Sequence, residues 1–354
     1  MGNSINKNKN ENKSNDNSNQ NSKQYKNKNS LNFILKSNLV KDSYANRHFT
    51  NTFTIFKSIN NFLFLIYSSK NKSIICYDLE NEKQIAEIKN AHTEYCFNIR
   101  YYLDIINKRD LIISIFDQNS LKIWNIKNFE CILSLSNINK KGFISFACLF
   151  KENNINYLIT SNYVSSGKIA EPIKIFDLDG KFIKEIENSS ESTLILDNYF
   201  DENLSKNYII SGNINHVKSY DYTSNTIYHK YFDIDNSTYH SDVDIKNDKN
   251  IIKLIESCDD GYIRIWNFHS GILLNKIYSG LNESQYCLCL WDNQYLILGC
   301  ISKFLLIDYQ NNKIVDTFNY NPLTMKKVNL SKYGKCLICQ GAGRNEIAIW
   351  LSKN

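Results

Sequence analysis

Residues 111–125 read LIISIFDQNSLKIWN, and residues 252–267 read IKLIESCDDGYIRIWN, a near-copy. Each holds an apolar run, a tight polar turn and a second run that closes on Trp-Asn. A unit that recurs along a chain fixes the architecture before any local detail does, because each copy must bury its apolar face against its neighbours. The end of the second run is the easiest part to follow: SIICYD, LKIWN, IKIFD, VKSYD, IRIWN, FLLID and IAIWL. The anchor positions are Tyr77, Trp124, Phe176, Tyr220, Trp266, Ile307 and Trp350, separated by 47, 52, 44, 46, 41 and 43 residues. A four-stranded propeller blade takes about 40–45 residues, so the spacing predicts seven blades with modest insertions in the longer copies.

The order of events inside each copy agrees. After the anchor come a few polar turn residues and a strand such as QIAEI or ILLNKI, then a loop and two further strands. Period-2 alternation, β-branched and aromatic enrichment, and Asn, Asp, Ser or Gly between runs signal strands and turns, and no long helical stripe competes. The expectation is an all-β, seven-bladed propeller spanning residues 31–354. The chain stops just after the seventh anchor, which leaves that blade short of its outer strand. The spare apolar run LNFILKSNLV (residues 31–40) is expected to pair beside residues 346–351 and close the ring. Closure removes the two unpaired edges that an open ring would expose. Both prolines, Pro172 and Pro322, are expected in loops, since ladder positions need N–H donors.

Residues 1–30 differ in kind: eleven are Asn, and few are apolar. Such a segment buries too little surface to offset its ordering entropy, so it is expected to be a disordered tail. It carries six lysines against Glu11 and Asp16, a net of +4 out of the chain's +6, which leaves a near-neutral propeller. That balance argues against a specific nucleic-acid face, which needs a concentrated basic patch. No signal-peptide core and no apolar run long enough to span a bilayer is present, so a cytoplasmic protein is expected, with its ten cysteines as thiols. The start Met1-Gly2-Asn3-Ser4-Ile5-Asn6 places the glycine that N-myristoylation requires, with Asn6 where Ser or Thr is usual. With the tail lysines as a second, electrostatic signal, Gly2 is the lipidation candidate for a membrane-tethered adaptor.

The repeated residues resemble the WD-repeat family, which includes G-protein beta subunits, over about nine-tenths of the chain. The copies at Trp124 and Trp266 match well, and those at Tyr220 and Ile307 are degenerate. The resemblance implies that a blade is pinned by a hydrogen-bonded tetrad of a loop His, a Ser or Thr, an Asp and the Trp indole. The second blade offers His92, Ser114 and Trp124, with Gln118 in the Asp position and Asp117 one place off. The fifth offers His240, Asp260 and Trp266, with Glu256 in the Ser position. The resemblance also implies that the longer loops emerge on the rim that carries the tetrad His and Asp.

Other constellations read as structural. His92, His240 and Asp260 match tetrad positions, and no nucleophile elbow, zinc-protease motif or phosphate loop is present. Cys287, Cys289, Cys336 and Cys339 sit in apparent strands, where Cys336 and Cys339 point to opposite faces, so no metal and no cofactor is expected. Asp233, Asp235, Asp242 and Asp244 read as a solvated acidic loop around His240. Two insertions stand out, residues 161–172 and 233–242, and binding residues concentrate on loops held by a rigid scaffold. Tyr163, Lys168, Glu171, Asp233, Asp235 and His240 are therefore the candidate partner-binding rim. The expected function is a non-catalytic scaffold or adaptor for protein or peptide partners within a multiprotein complex. The rival is a propeller enzyme using the central channel, which needs acidic or His side chains converging on the inner strands.

Overall fold

The computed structural model describes residues 31–44, 51–116, 119–164, 169–233, 240–248, 251–342 and 344–353. The tail expectation for residues 1–30, Gly2 included, falls outside them. Twenty-eight strands form seven antiparallel four-stranded sheets, one per blade, and each anchor lies in the third strand of its blade. Blades one to six span residues 53–88, 96–136, 143–185, 193–231, 240–278 and 285–318, and blade seven spans 322–353. The fourth strand of blade seven comes from Asn32–Val40, which pairs antiparallel with Ile347–Lys353 from Asn32↔Lys353 to Val40↔Ile347. The ring is closed as expected.

Seven clusters of buried apolar side chains hold the ring, and each lies between two neighbouring blades. The closing strand contributes to two of them. Phe33 packs its ring edge-on against Trp291, Phe304 and Phe318 at 4.9–6.2 Å, between blades six and seven. Val40 joins the cluster between blades seven and one. Two register shifts interrupt this strand, at Leu35/Ser37 and Asn38/Val40.

The Asp or Asn after each anchor has a physical task. Asp78 Oδ1 accepts the backbone N–H of Glu80 (2.9 Å) and Asn81 (3.0 Å), and Asp221 Oδ1 accepts those of Thr223 (2.9 Å) and Ser224 (3.1 Å). Asn125, Asp177, Asn267 and Asp308 cap their turns in the same way. A side-chain oxygen that satisfies N–H groups two and three residues on builds the turn, which is why this position is an acid or amide in six copies.

Two details differ from expectation. Pro322 opens the inner strand Pro322–Leu330, opposite Gly341, where a strand's first residue tolerates a missing N–H. Asp242 and Asp244 belong to the inner strand His240–Asp248 and not to a loop. The cysteines behave as fillers: nine are buried, Cys131 is exposed, and none pairs with another. Cys339 packs between blades six and seven and Cys336 between blades seven and one, so their side chains do point to opposite faces.

Candidate functional site: loop rim and central channel

In blade two the Trp124 indole N–H donates to Ser114 Oγ at 2.8 Å, the pair the resemblance implies. His92 is buried beside them, stacked on Phe116 at 4.1 Å and edge-on to Trp124 at 6.0 Å. Neither of its ring nitrogens has a hydrogen-bond partner among the described residues. Burial, helped by the Lys122 charge, pulls its pKa down to about 3 and keeps the imidazole neutral. Asp117 and Gln118 fall outside the described residues. In blade five the Trp266 indole N–H is buried without a partner among the described residues. The Asp260 carboxylate turns to the Arg264 guanidinium and accepts the Tyr262 N–H at 3.0 Å. Asp260 thus answers the fully buried Arg264 guanidinium, which requires carboxylate partners, while the side chain of its tetrad partner His240 falls outside the described residues. In blade four the Tyr220 hydroxyl meets Ser211, so a phenol stands where blade two has its indole.

What pins the inter-blade loops is a cation two residues before the anchor. Lys122, Lys174, Lys218 and Arg264 occupy the same register position on the third strands of blades two to five. Lys122 Nζ donates to Ala91 O at 2.7 Å, and Lys174 Nζ donates to Ile138 O at 2.9 Å. Lys218 Nζ reaches Asn188 O at 3.5 Å, and Arg264 Nε donates to Asp233 at 2.8 Å. Each cation thus ties down the loop leading into its own blade. The signal was present in the sequence as LKIW, IKIF, VKSY and IRIW, a base repeated in four consecutive copies.

These cations recruit carboxylates, and two candidate rim residues are among them. Glu171 accepts from Lys174 and from the Lys141 backbone N–H at 2.6 Å. Asp233 pairs with Arg264 and also with Lys276 at 2.7 Å. The corresponding group of blade four was missed: Glu191 bridges His216 at 2.8 Å and Lys218 at 2.7 Å. Burial alone would raise the Glu191 pKa, but these two partners win and hold it near 2. Tyr163 is half-buried against the Phe143 ring at 5.1 Å. Lys168 and Asp235 fall outside the described residues, as does the side chain of His240. The described carboxylates of the rim therefore serve the scaffold itself.

Among the described residues the exposed apolar side chains are more concentrated on the opposite face. Ile59 and Phe62, Ile105 and Ile106, Ile155, Phe200 and Leu204, and Ile251 are all exposed. They sit at or beside the turns joining first and second strands in blades one to five. The loop rim exposes Tyr95, Ile169, Phe232 and Ile301, on four different loops.

The inner strands line a channel with a cavity of about 240 Å³. Strand register places one residue per blade at a single level: Thr54, Arg100, Cys148, Asp197, Asp244, Cys289 and Lys326. Thr54, Arg100, Asp197, Asp244 and Lys326 line the cavity, and Asp242 joins them from two residues earlier. Arg100 Nη1 meets Asp197 Oδ1 at 3.2 Å, with the guanidinium 5.5 Å from the Phe146 ring centre. Asp242 accepts the backbone N–H groups of Val243 (3.0 Å) and Leu288 (2.8 Å). Lys326 is exposed to the channel and makes no ion pair among the described residues. Burial pushes both Asp242 and Asp244 upward, and the charge of Asp242 adds to the shift of Asp244, which reaches about 6.

That shift has a sign. Asp244 binds a proton more readily folded than unfolded, so it lowers stability as pH rises from its usual 3.8 toward about 6. The penalty is complete above the folded pKa and absent well below the unfolded one. Asp244→Asn is expected to raise stability at pH 7 by on the order of 1–2 kcal/mol, allowing for water in the channel. Urea melts at several pH values test this: the gain should shrink toward pH 4, and a gain equal at every pH would show that ionisation is not its source. No family model matches this chain, and no curated protein matches it.

Proposed function

We propose that this propeller is a non-catalytic platform of the WD-repeat kind that holds protein partners. The observation that carries the reading is the arc of exposed aliphatic and aromatic side chains at the turns of five consecutive blades. Apolar side chains that recur on one face of a rigid body favour a contact site there, whereas singly scattered ones need no partner. The WD-repeat character rests on the Trp124–Ser114 bond, the buried Trp266 and the capped third-strand turns. The described blade pinning adds to that pattern a column of cations two residues before the anchors.

Ile105→Ser, Ile155→Ser and Phe200→Ser combined keep the inter-blade clusters intact, since none of the three belongs to one. Affinity purification with mass spectrometry from the native cell is expected to recover stable partners with the wild-type chain and to lose them with the triple variant. Thermal stability should stay unchanged. Recovery of the same partners by both proteins would move the contact to another surface, and recovery of none by the wild type would sink the platform reading.

A further inference from the structure

The charges of the channel are segregated. Lys326, Thr54 and Arg100 come from blades seven, one and two, which are contiguous around the ring. Asp197, Asp242 and Asp244 come from blades four and five, on the other side. The wall is therefore positive and hydroxyl-bearing on one side and negative on the other, around a cavity of about 240 Å³. At about 30 Å³ per water, that space holds about eight waters, or one molecule the size of a free amino acid.

Structural pairing accounts for only part of this arrangement. Arg100 reaches Asp197, and Asp242 has two backbone donors, but Lys326 makes no direct ion pair among the described residues and acts on Asp242 and Asp244 only through its charge. Asp242 and Asp244 lie two residues apart on one strand and face the same cavity, so their like charges repel. A channel wall serving only stability would be expected to lack both features. A cation set off from a crowded pair of carboxylates, without direct contact between them, is complementary to a dipolar ligand whose two charged ends fit between.

We propose that the central channel binds a small zwitterion of free amino-acid size, its ammonium group toward Asp242 and Asp244 and its carboxylate toward Lys326 and Arg100. The site is separate from the platform reading, and it stands whether or not a protein docks on the turn face. Recognition at both ends makes the ligand specific in a testable way, because capping either end leaves one wall charge without its ligand partner.

The experiment uses the full chain. Calorimetry and thermal-shift measurements with the common free amino acids, β-alanine and γ-aminobutyrate are expected to find at least one ligand with a Kd at or below about 1 mM. Its N-acetyl and carboxamide derivatives should each bind about tenfold more weakly or worse. Lys326→Met should abolish discrimination against the carboxamide, and Asp244→Asn should abolish discrimination against the N-acetyl form. Asp244→Asn is expected to fold at least as stably as the wild type, so loss of binding there is not loss of structure. The proposal is overturned if no panel member binds, if both capped forms bind as tightly as the parent, or if neither substitution changes the preference.

Discussion

Removing residues 1–42 is expected to lower the melting temperature by about 10 °C or more relative to a chain beginning at Leu31. The shorter chain lacks the whole ladder from Asn32↔Lys353 to Val40↔Ile347. It also lacks Phe33, which is 3% exposed and touches three rings between blades six and seven. Emptying a buried Phe site costs about 3–5 kcal/mol by itself. The loss of Val40 and of the ladder adds to it and leaves Ile347–Lys353 as an open edge. Phe33→Ala in the intact chain separates the two contributions, since it empties the pocket and keeps the ladder. Thermal melts and light scattering on the three proteins test the closure. Equal melting temperatures for the chains beginning at residues 31 and 43 would show that the closing strand is dispensable.

The two anchor tryptophans should respond alike to deletion and differently to a subtler change. Trp124→Ala and Trp266→Ala are each expected to cost about 3–5 kcal/mol, because both rings are buried in inter-blade clusters. Trp→Phe separates them. At position 124 the change removes the N–H donor to a buried Ser114 hydroxyl and should cost about 1–2 kcal/mol more than it does at position 266. At position 266 the indole N–H has no partner among the described residues, so its removal relieves an unpaired polar group and offsets part of the lost packing. Chemical denaturation of the four variants provides the comparison. Equal costs for the two Trp→Phe variants would refute the difference in hydrogen bonding.

The architecture was legible because apolar alternation is spent on burial between blades, and that burial repeats with the copies. The anchors and the closing strand follow from it. The channel was not legible for the same reason inverted. The inner strand His240–Asp248 reads HSDVDIKND, and its channel-facing positions meet water and charge, so only Val243 and Ile245 alternate as an apolar stripe and the segment passes for an acidic loop. Register hides the rest. The inner strands of blades two to seven each carry a shift near their start, at Cys96/Asn98 in blade two and His240/Asp242 in blade five. A bulge moves every later side chain by one place and leaves the hydrophobic pattern almost unchanged. Arg100, Asp197, Asp244 and Lys326 therefore become one level only once the ladders are known. The cation column failed differently: Lys122, Lys174, Lys218 and Arg264 were in view beside the anchors but passed as the polar half of an alternating strand.

Closure by Asn32–Val40 also sets an order of events in time. Of the propeller's strands this one leaves the ribosome first and finds its partner last, because more than 300 residues separate the two halves of the ladder. At about 5–20 residues per second it waits for tens of seconds with a free edge. Its composition suits the wait: Lys36, Ser37 and Asn38 fall in its middle, two irregularities break its flatness, and Phe33 is its one ring. A charged, bent strand is a poor template for pairing with another nascent chain. The same features that make this strand a weak sheet former alone keep it available until the seventh blade arrives.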